Sequence, residues 1–399
     1  MKKITFVIPS RNNLALLKLA YKSLKALGNG HHILVLNDAS TDGTEEWLHM
    51  MLNKFWKEKQ EDKLTVHTNP GPDRIGIVGM FDKGIEMAKT DIICAFHADM
   101  VAYPNLDREL LKHVKRGTVV SATRVEPPLH PPGPEKIIED FGVMPDEFNY
   151  KKWCKYIPPI LNSETTEGIF APWCMYKEDF LAVGGHDELF APQSREDSDI
   201  FNRFHLARYK FIQTWRGMVY HFTSRGSRFN PMSGGDIGKN SPEWTKQNRK
   251  SERNFIRKCG TMVQHDQMMK PIVSHKYDIG FAVTNCDLNL LYTLEPWCST
   301  IYTDCKQHEH DIYIKNEQPN TTYNLEDKLR IWDGITLHED ENANNILLSF
   351  DCKKLDNESF QIIVKLADIL SDSGEIGRME YGIFTLFIDS LKHYEKELI

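Results

Sequence analysis

An α/β fold is predicted for this 399-residue chain, built on a doubly wound, mostly parallel sheet with a smaller α/β domain after it. Three observations predict it. Short continuous apolar runs, of the kind buried on both faces of a parallel sheet, alternate with amphipathic helical stretches over the N-terminal part. Acidic residues stand at the ends of those runs, where open α/β sheets bind their ligands. The charge balance also shifts along the chain: residues 203–258 hold thirteen Lys/Arg against three Asp/Glu, whereas residues 271–399 hold eleven against twenty-three.

The elements follow in order. Lys3 to Pro9 is a buried-type strand, and Ser10-Arg11-Asn12-Asn13 turns the chain into a helix from about Leu14 to Leu27. Its apolar positions Leu14, Leu17, Ala20, Tyr21, Leu24 and Leu27 recur at helical spacing, and Gly28-Asn29-Gly30 ends it. A strand from His32 to Leu36, a helix to about Lys59, a strand from Leu64 to Thr68 and a helix around Gly79–Ala88 come next. The run Ile92-Ile93-Cys94-Ala95-Phe96 is the fourth strand, and the order β-α-β-α-β-α-β implies right-handed crossovers. Residues 126–150, rich in Pro and acid and without a period, read as a surface excursion. Order returns with short apolar segments at Phe170–Tyr176 and Phe211–His221. The basic stretch 239–258 reads as a helix with Trp244, Phe255 and Ile256 inward. Beyond Pro271, strands at Ile279–Thr284 and Ile346–Phe350 and helices near Phe360–Leu370 and Gly382–Tyr394 make the smaller domain. The expected division is 1–230 as the catalytic domain, 231–270 as a basic helical connector and 271–399 as an acidic accessory domain.

Composition narrows the class. Apolar content of 41% and charged content of 26% are those of a globular protein. No apolar run approaches the ~20 residues of a membrane span. The apolar stretch Ile4 to Pro9 is shorter than the ~7–15 residues of a signal-peptide core and meets Arg11 at once. Eight scattered cysteines without a Cys-x-x-Cys pair argue against metal knuckles and disulfide frameworks, and fit a reducing cytosol. A basic segment inside a chain of net charge −7 points to an anionic ligand there.

The sequence has no Gly-x-Gly-x-x-Gly after its first strand and no Walker-type loop, which argues against dinucleotide or P-loop phosphate binding. Asp38, Asp42 and Asp99 stand near successive strand ends instead. Such acids repel a bare pyrophosphate and make sense if Mg²⁺ or Mn²⁺ bridges, because these ions take oxygen ligands and leave positions for substrate phosphate.

At this point the chain resembles the inverting GT-A glycosyltransferases of the family 2 type, including phage-encoded members. The resemblance covers about residues 3–225. It rests on Phe6-Val7-Ile8-Pro9-Ser10-Arg11-Asn12, Leu36-Asn37-Asp38-Ala39-Ser40-Thr41-Asp42-Gly43-Thr44, His97-Ala98-Asp99, Gly184-Gly185-His186-Asp187-Glu188 and Arg195-Glu196-Asp197-Ser198-Asp199. It implies a donor-nucleotide site at Pro9, Ser10, Asn12, Asp38 and Asp42, with Asp38 receiving a hydrogen bond from uracil. Asp99 matches the last acid of the family's Asp-x-Asp motif and is expected to hold the metal, joined by His221. His97 replaces the first acid, so it is placed on the donor side with its contact open. Glu196-Asp197 matches the paired acids ahead of the acceptor helix, with Asp197 the general base and Glu196 orienting it or the acceptor. The bland reading of that pair is a helix N-cap cluster with Ser194 and Asp199.

Arg225 and Arg228 lie on a Gly/Ser loop suited to the diphosphate leaving group. Trp173 either stacks on an acceptor sugar or base or packs in the core. Gly184-Gly185 serves backbone conformation. The expected partners are a UDP-sugar donor and an acceptor glycan, without membrane insertion. A hydroxylated or hydroxymethylated pyrimidine in phage DNA is the alternative acceptor, receiving glucose or arabinose after base flipping in the host cytoplasm. A reading of another class is a non-catalytic sugar- or nucleic-acid-binding protein on a decayed GT-A scaffold.

Overall fold

The computed structural model describes residues 2–57, 63–158, 163–224, 228–236, 238–332 and 344–399. The chain divides into two compact units, Met1–Asn248 with His265–Ile272, and Arg249–Gln264 with Val273–Ile399. The stretch 231–270, predicted as a connector, is therefore not a body of its own, since its helix is divided between the units after Asn248.

In the first unit β1 (Ile4–Ser10), α1 (Leu14–Ala26), β2 (His32–Asp38), α2 (Thr44–Lys57), β3 (Leu64–Asn69), α3 (Ile77–Met87) and β4 (Ile92–Ala95) follow one another as the periodicity predicts. β3, β2, β1 and β4 lie side by side, all parallel. β2 is buried over its whole length, as a strand covered on both faces must be. α1 buries Leu17, Ala20, Tyr21 and Leu24 against this sheet, and each leucine so removed from water contributes ~1.5–3 kcal/mol.

Next come β5 (Met100–Ala102), α4 (Leu106–His113), β6 (Thr118–Glu126), β7 (Lys136–Ile138), α5 (Tyr150–Cys154), β8 (Thr165–Thr166), β9 (Trp173–Tyr176), α6 (Lys177–Ala182), α7 (Glu196–Leu206), β10 (Lys210–His221) and α8 (Pro242–Cys259). The sheet order is β3-β2-β1-β4-β9-β6-β10-β5. β9 enters antiparallel between β4 and β6, and β5 runs antiparallel to β10. The mostly parallel expectation holds for the first four strands and gives way to mixed pairing beyond them.

Residues 126–150 are not a mere surface excursion. β7 pairs with the end of β6, and Phe141 and Trp153 are buried with Val125, Tyr220 and Phe222 in a satellite core. These aromatics are spread over turns, so they leave no period for a pattern reading to find.

The second unit holds β11 (Ile279–Thr284), α9 (Leu288–Leu294), β12 (Thr300–Thr303), α10 (Gln307–Glu317), α11 (Leu325–Lys328), β13 (Leu329–Ile331), β14 (Ile346–Asp351), α12 (Asn357–Val364), α13 (Leu366–Ser373), β15 (Gly377–Tyr381) and β16 (Phe384–Ile388). Its order is β13-β12-β11-β14-β16-β15, with the first four strands parallel and the last two antiparallel. The helix predicted over Gly382–Tyr394 is a strand. Phe384, Leu386 and Ile388 alternate inward with period two, and Gly382 turns the hairpin at φ 63°. A buried ion network crosses this unit: Arg257 reaches Glu295 at 2.6 Å and Glu317 at 2.8 Å, and Lys328 reaches Glu295 at 2.6 Å. All eight cysteines are free thiols. Among the described residues no helix is long and apolar enough to cross a membrane.

Candidate active site

The carboxyl edge of the first sheet gathers most of the residues singled out from the sequence. After β4 the chain turns at 97–99, where the Met100 amide donates to the His97 carbonyl at 3.2 Å. It then enters β5, whose Met100 pairs with His221 of β10, and the Phe222 amide donates to the Asp99 carbonyl at 3.0 Å. That register makes Asp99 and His221 neighbours, with Oδ2 and Nε2 3.6 Å apart and both residues buried. His221 Nδ1 donates to Glu126 Oε1 at 2.9 Å. Glu126 in turn accepts from Arg124 at 2.8 Å and Lys136 at 3.0 Å. Burial alone would pull the imidazole down, but the carboxylates of Asp99 and Glu126 outweigh it and raise His221 to about 9. Asp99 is pushed up by burial and down by His221 and His97, and ends below its ordinary value.

A carboxylate and an imidazole side by side, with the second ring nitrogen oriented by a further carboxylate, is a donor set that fits a divalent metal. Glu126 escapes the sequence reading because a charged residue at the end of the run Thr118–Glu126 looks like a solvated strand end. Its signal is the charged pair Arg124 and Glu126 at i and i+2, which puts both on one face of an otherwise buried strand.

Glu196 and Asp197 open α7. They follow Ser194 (φ 79°) and Arg195 (φ 70°), two non-glycine residues in the left-handed region. The Ser194 hydroxyl donates to Asn248 at 2.8 Å, and no side chain of the N-cap residue Arg195 caps the helix, so the pair is not part of a serine-capped cluster. Glu196 is raised to about 8, first by burial and then by the charge of Asp197, and its buried Oε2 has no hydrogen-bond partner. His97, packed on the Phe81 ring at 5.7 Å between centroids, is lowered by burial, partly offset by Asp197 and Asp99. Asp197, His97, Asp99 and His221 thus share one electrostatic neighbourhood.

On the other side of the edge, Pro9 and Ser10 end β1, and Ser10 pairs in register with Asn37. The Ser10 hydroxyl and both amide atoms of Asn37 are buried without hydrogen-bond partners. Asn12 ties the first loop to the second, its Oδ1 accepting from the Thr41 amide at 2.8 Å. The Asp38 carboxylate accepts from Asn69 (2.8 Å), Ile75 (2.9 Å) and Gly76 (2.7 Å), which leaves one lone-pair site on Oδ2. Gly76 sits at φ 94°, and a Cβ there would run into Pro192. Asp42 accepts from the Leu14 amide at 2.8 Å and the Thr44 amide at 3.2 Å, so it caps α1 and α2. The Thr44 hydroxyl is a third donor to it, and like Asp38 it keeps one lone-pair site for the expected nucleotide contact.

Arg228 is held by Asn240 at 2.6 Å and lies over the Trp244 ring at 4.8 Å. Arg225 lies outside the described residues. Two arginines given no role by the sequence stand nearby: Arg74 reaches Glu243 at 2.8 Å and Arg11 reaches it at 4.0 Å. Trp173 is corrected outright. It is 1% exposed and packs against Phe180 and Phe204, so no ring face is left for an acceptor. Gly184 and Gly185 both have positive φ, and a Cβ on Gly185 would meet Asp82 at 2.6 Å. Asp82 also holds His186 Nδ1 at 2.6 Å, fixing the loop ahead of the acid pair.

Among the described residues nine non-glycine residues have positive φ, and six of them (Asn12, Ala39, Ser194, Arg195, Thr223 and Ser224) follow β1, β2 and β10 or precede α7. Backbone strain is concentrated on this edge, as it is at functional sites.

The family model described as Glycosyl transferase family 2 matches residues 5–180. No curated protein matches the chain. Solved structures similar to it include GalNAc-T7 with UDP, GalNAc and Mn²⁺, at 14% identity and a TM-score of 0.40, covering 55% of this chain and 43% of that one. Mannosyltransferase PcManGT from Pyrobaculum calidifontis, in complex with GDP-Man and Mn²⁺, is similar at 15% identity and a TM-score of 0.41, covering 64% and 63%. S. aureus TarS 1-349 is similar at 12% identity and a TM-score of 0.38, covering 55% and 60%. The chain thus spans less than two thirds of each of these structures. Glu196, Asp197 and His221 lie beyond the matched residues 5–180, so their part rests on the geometry above.

Proposed function

We propose that the protein is a metal-dependent inverting glycosyltransferase that moves a hexosyl or pentosyl group from a UDP-sugar to an acceptor hydroxyl. The observation that carries this is the Asp99–His221 pair, backed by Glu126 and electrostatically joined to the Glu196-Asp197 pair, on one sheet edge. Asp99 and His221 would hold Mn²⁺ or Mg²⁺, which when bound supplies positive charge to the diphosphate. The donor nucleotide is assigned to Pro9, Ser10, Asn12, Asn37 and the remaining lone pair of Asp38, with His97 on the sugar side.

Asp197 acts as base: it takes the proton of the acceptor hydroxyl while that oxygen bonds to the anomeric carbon and the bond to the diphosphate breaks. Glu196, held protonated to about 8, keeps the charge of the pair on Asp197 and can donate a hydrogen bond to the acceptor. Arg228, with Arg11 and Arg74, is positioned by chemistry for the departing diphosphate.

For the acceptor, a glycan hydroxyl is favoured over a pyrimidine of DNA. Four cations of the basic segment have acidic partners within the chain: Arg203 with Asp199, Arg216 with Glu164, Arg253 with Glu317 and Arg257 with Glu295. That leaves fewer cations to follow a phosphate backbone. The reading as a decayed, non-catalytic scaffold is disfavoured by the presence together of Asp99, Glu196, Asp197 and His221.

The test is release of UDP from UDP-sugars with Mn²⁺ and with EDTA. Turnover should require the metal and fall at least about 100-fold in Asp99→Ala. Asp197→Asn should lose transfer by about 10²–10⁴-fold yet retain UDP binding. Metal-independent turnover, or an Asp197→Asn protein as fast as the parent, would sink the assignment. Mass shifts of oligosaccharides against hydroxymethylated DNA decide the acceptor.

A further inference from the structure

We propose a second metal site, remote in sequence from the first: His275, His393 and Glu395 hold a divalent transition metal of the zinc class. The three residues belong to the second unit and sit on two segments that pair antiparallel. An isolated bridge joins Tyr277 to His393, and the Tyr394 amide donates to the Lys276 carbonyl at 2.7 Å. The bridge sets His393 beside Tyr277, and the chain then bends at Tyr394 (φ −125°, ψ 11°) into a single 3₁₀ turn that opens with Glu395, whose carboxylate reaches both histidines.

The three side chains meet at the Glu395 carboxylate. His275 Nδ1 is 3.2 Å from Glu395 Oε1, and His393 Nδ1 is 2.8 Å from the same oxygen. The two imidazole rings lie 4.2 Å apart between centroids, and one ligand atom from each of the three residues lies within 4.8 Å of the others. His393 Nδ1 also lies 3.0 Å from Glu395 Oε2, so two ring nitrogens and both carboxylate oxygens face one small space. An ion at the point of convergence takes both nitrogen lone pairs and the carboxylate together. Two imidazoles and one carboxylate suit Zn²⁺, Co²⁺ or Ni²⁺ and are a poor set for Mg²⁺ or Ca²⁺, which take oxygen. The Glu395 side chain is 10% exposed and each histidine 44%, so the carboxylate is anchored while the rings leave an entry path and room for a water as fourth ligand. Bound there, the ion ties the C-terminal segment to the one that leads into β11.

This inference does not depend on the proposed activity, and the test separates the two sites. Untagged full-length protein carrying Asp99→Ala and His221→Ala is stripped with chelator and titrated with Co²⁺, following its visible absorption. Binding of one equivalent that Zn²⁺ displaces is expected. Adding His393→Ala, or His275→Ala, should remove the absorption and lower affinity by on the order of 100-fold or more. No Co²⁺ or Zn²⁺ binding in the parent double variant, or binding unchanged by both histidine substitutions, overturns the proposal. Circular dichroism checks that the variants fold. Should they fail, the rise in Tm on adding Zn²⁺ to the double variant, absent in its Glu395→Gln form, gives the same decision; no rise overturns it.

Discussion

Glu196 of the first unit and Glu295 of the second are both buried carboxyl groups, and they move in opposite directions. Glu295 is pushed up by burial but drawn down to about 2 by Lys328 and Arg257. Glu196 is pushed up by burial and again by Asp197, to about 8. The contrast extends to the sheet edges on which each unit's loops stand. At the carboxyl edge of the second sheet, Asp304 accepts from the Asn285 amide at 2.7 Å and the Cys286 amide at 3.0 Å, and Asp351 accepts from Asn285 at 2.8 Å. At the first, Ser10, Asn37 and Glu196 keep buried polar atoms with no partner. Two sheets that both begin with four parallel strands thus use their edges differently. A buried acid whose charge is matched belongs to the framework; one left unmatched marks a place where something else is to bind.

The largest test of that contrast breaks the framework side. Arg257→Ala leaves Glu295 with Lys328 and the Tyr313 hydroxyl and removes a partner of Glu317, and should cost about 3–5 kcal/mol in urea unfolding. It should also raise the Glu295 pKa. The stability that this acid now contributes above its ordinary 4.5, lost only as pH falls towards about 2, would then be lost at a higher pH. A cost below ~1 kcal/mol would mean the network is dispensable, and the contrast with it.

The next test is on the other side. Glu196 binds a proton up to about 8 in the folded chain and up to its ordinary 4.5 when unfolded. The folded state therefore holds the extra proton within that window, and this group's contribution to stability falls as pH rises through it and is gone above about 8. Glu196→Gln should flatten the slope, gaining a few kcal/mol on the parent between about pH 5 and pH 9. Parallel stability profiles for the two proteins would remove Glu196 from the unmatched class.

Glu126 is the intermediate case, matched by Arg124 and Lys136 yet also holding His221. Glu126→Gln should leave the fold intact and weaken Mn²⁺ binding about 10–100-fold, read by titration. Unchanged affinity would reduce Glu126 to framework alone.

The sequence made the first sheet legible because its strands and helices keep their periods: Leu17, Ala20, Tyr21 and Leu24 face the core as their spacing requires. Asp99 stands out in the sequence as an acid at a strand end, and the Glu196-Asp197 pair through its resemblance to the family's paired acids ahead of a helix. What was not legible depended on distant partners. Glu126 acquires its role only when β6 lies beside β10, and the capping role of Asp42 depends on the Leu14 amide of another element. Trp173 was open between two readings until burial decided it. In the second unit, the run from Phe384 to Ile388 is short and apolar, and period alone does not separate strand from helix over five residues.

The left-handed residues around the first edge have one more consequence. Each costs on the order of 1–3 kcal/mol relative to a relaxed backbone, and six of them border a sheet whose strands are almost wholly buried. Amide exchange should therefore find a soft rim on a hard floor, with Asn12, Ala39, Thr223 and Ser224 exchanging well before the strands beneath them. A molecule that fits the strained outline holds that rim closed, so binding it should slow exchange at these positions and leave the strands unchanged.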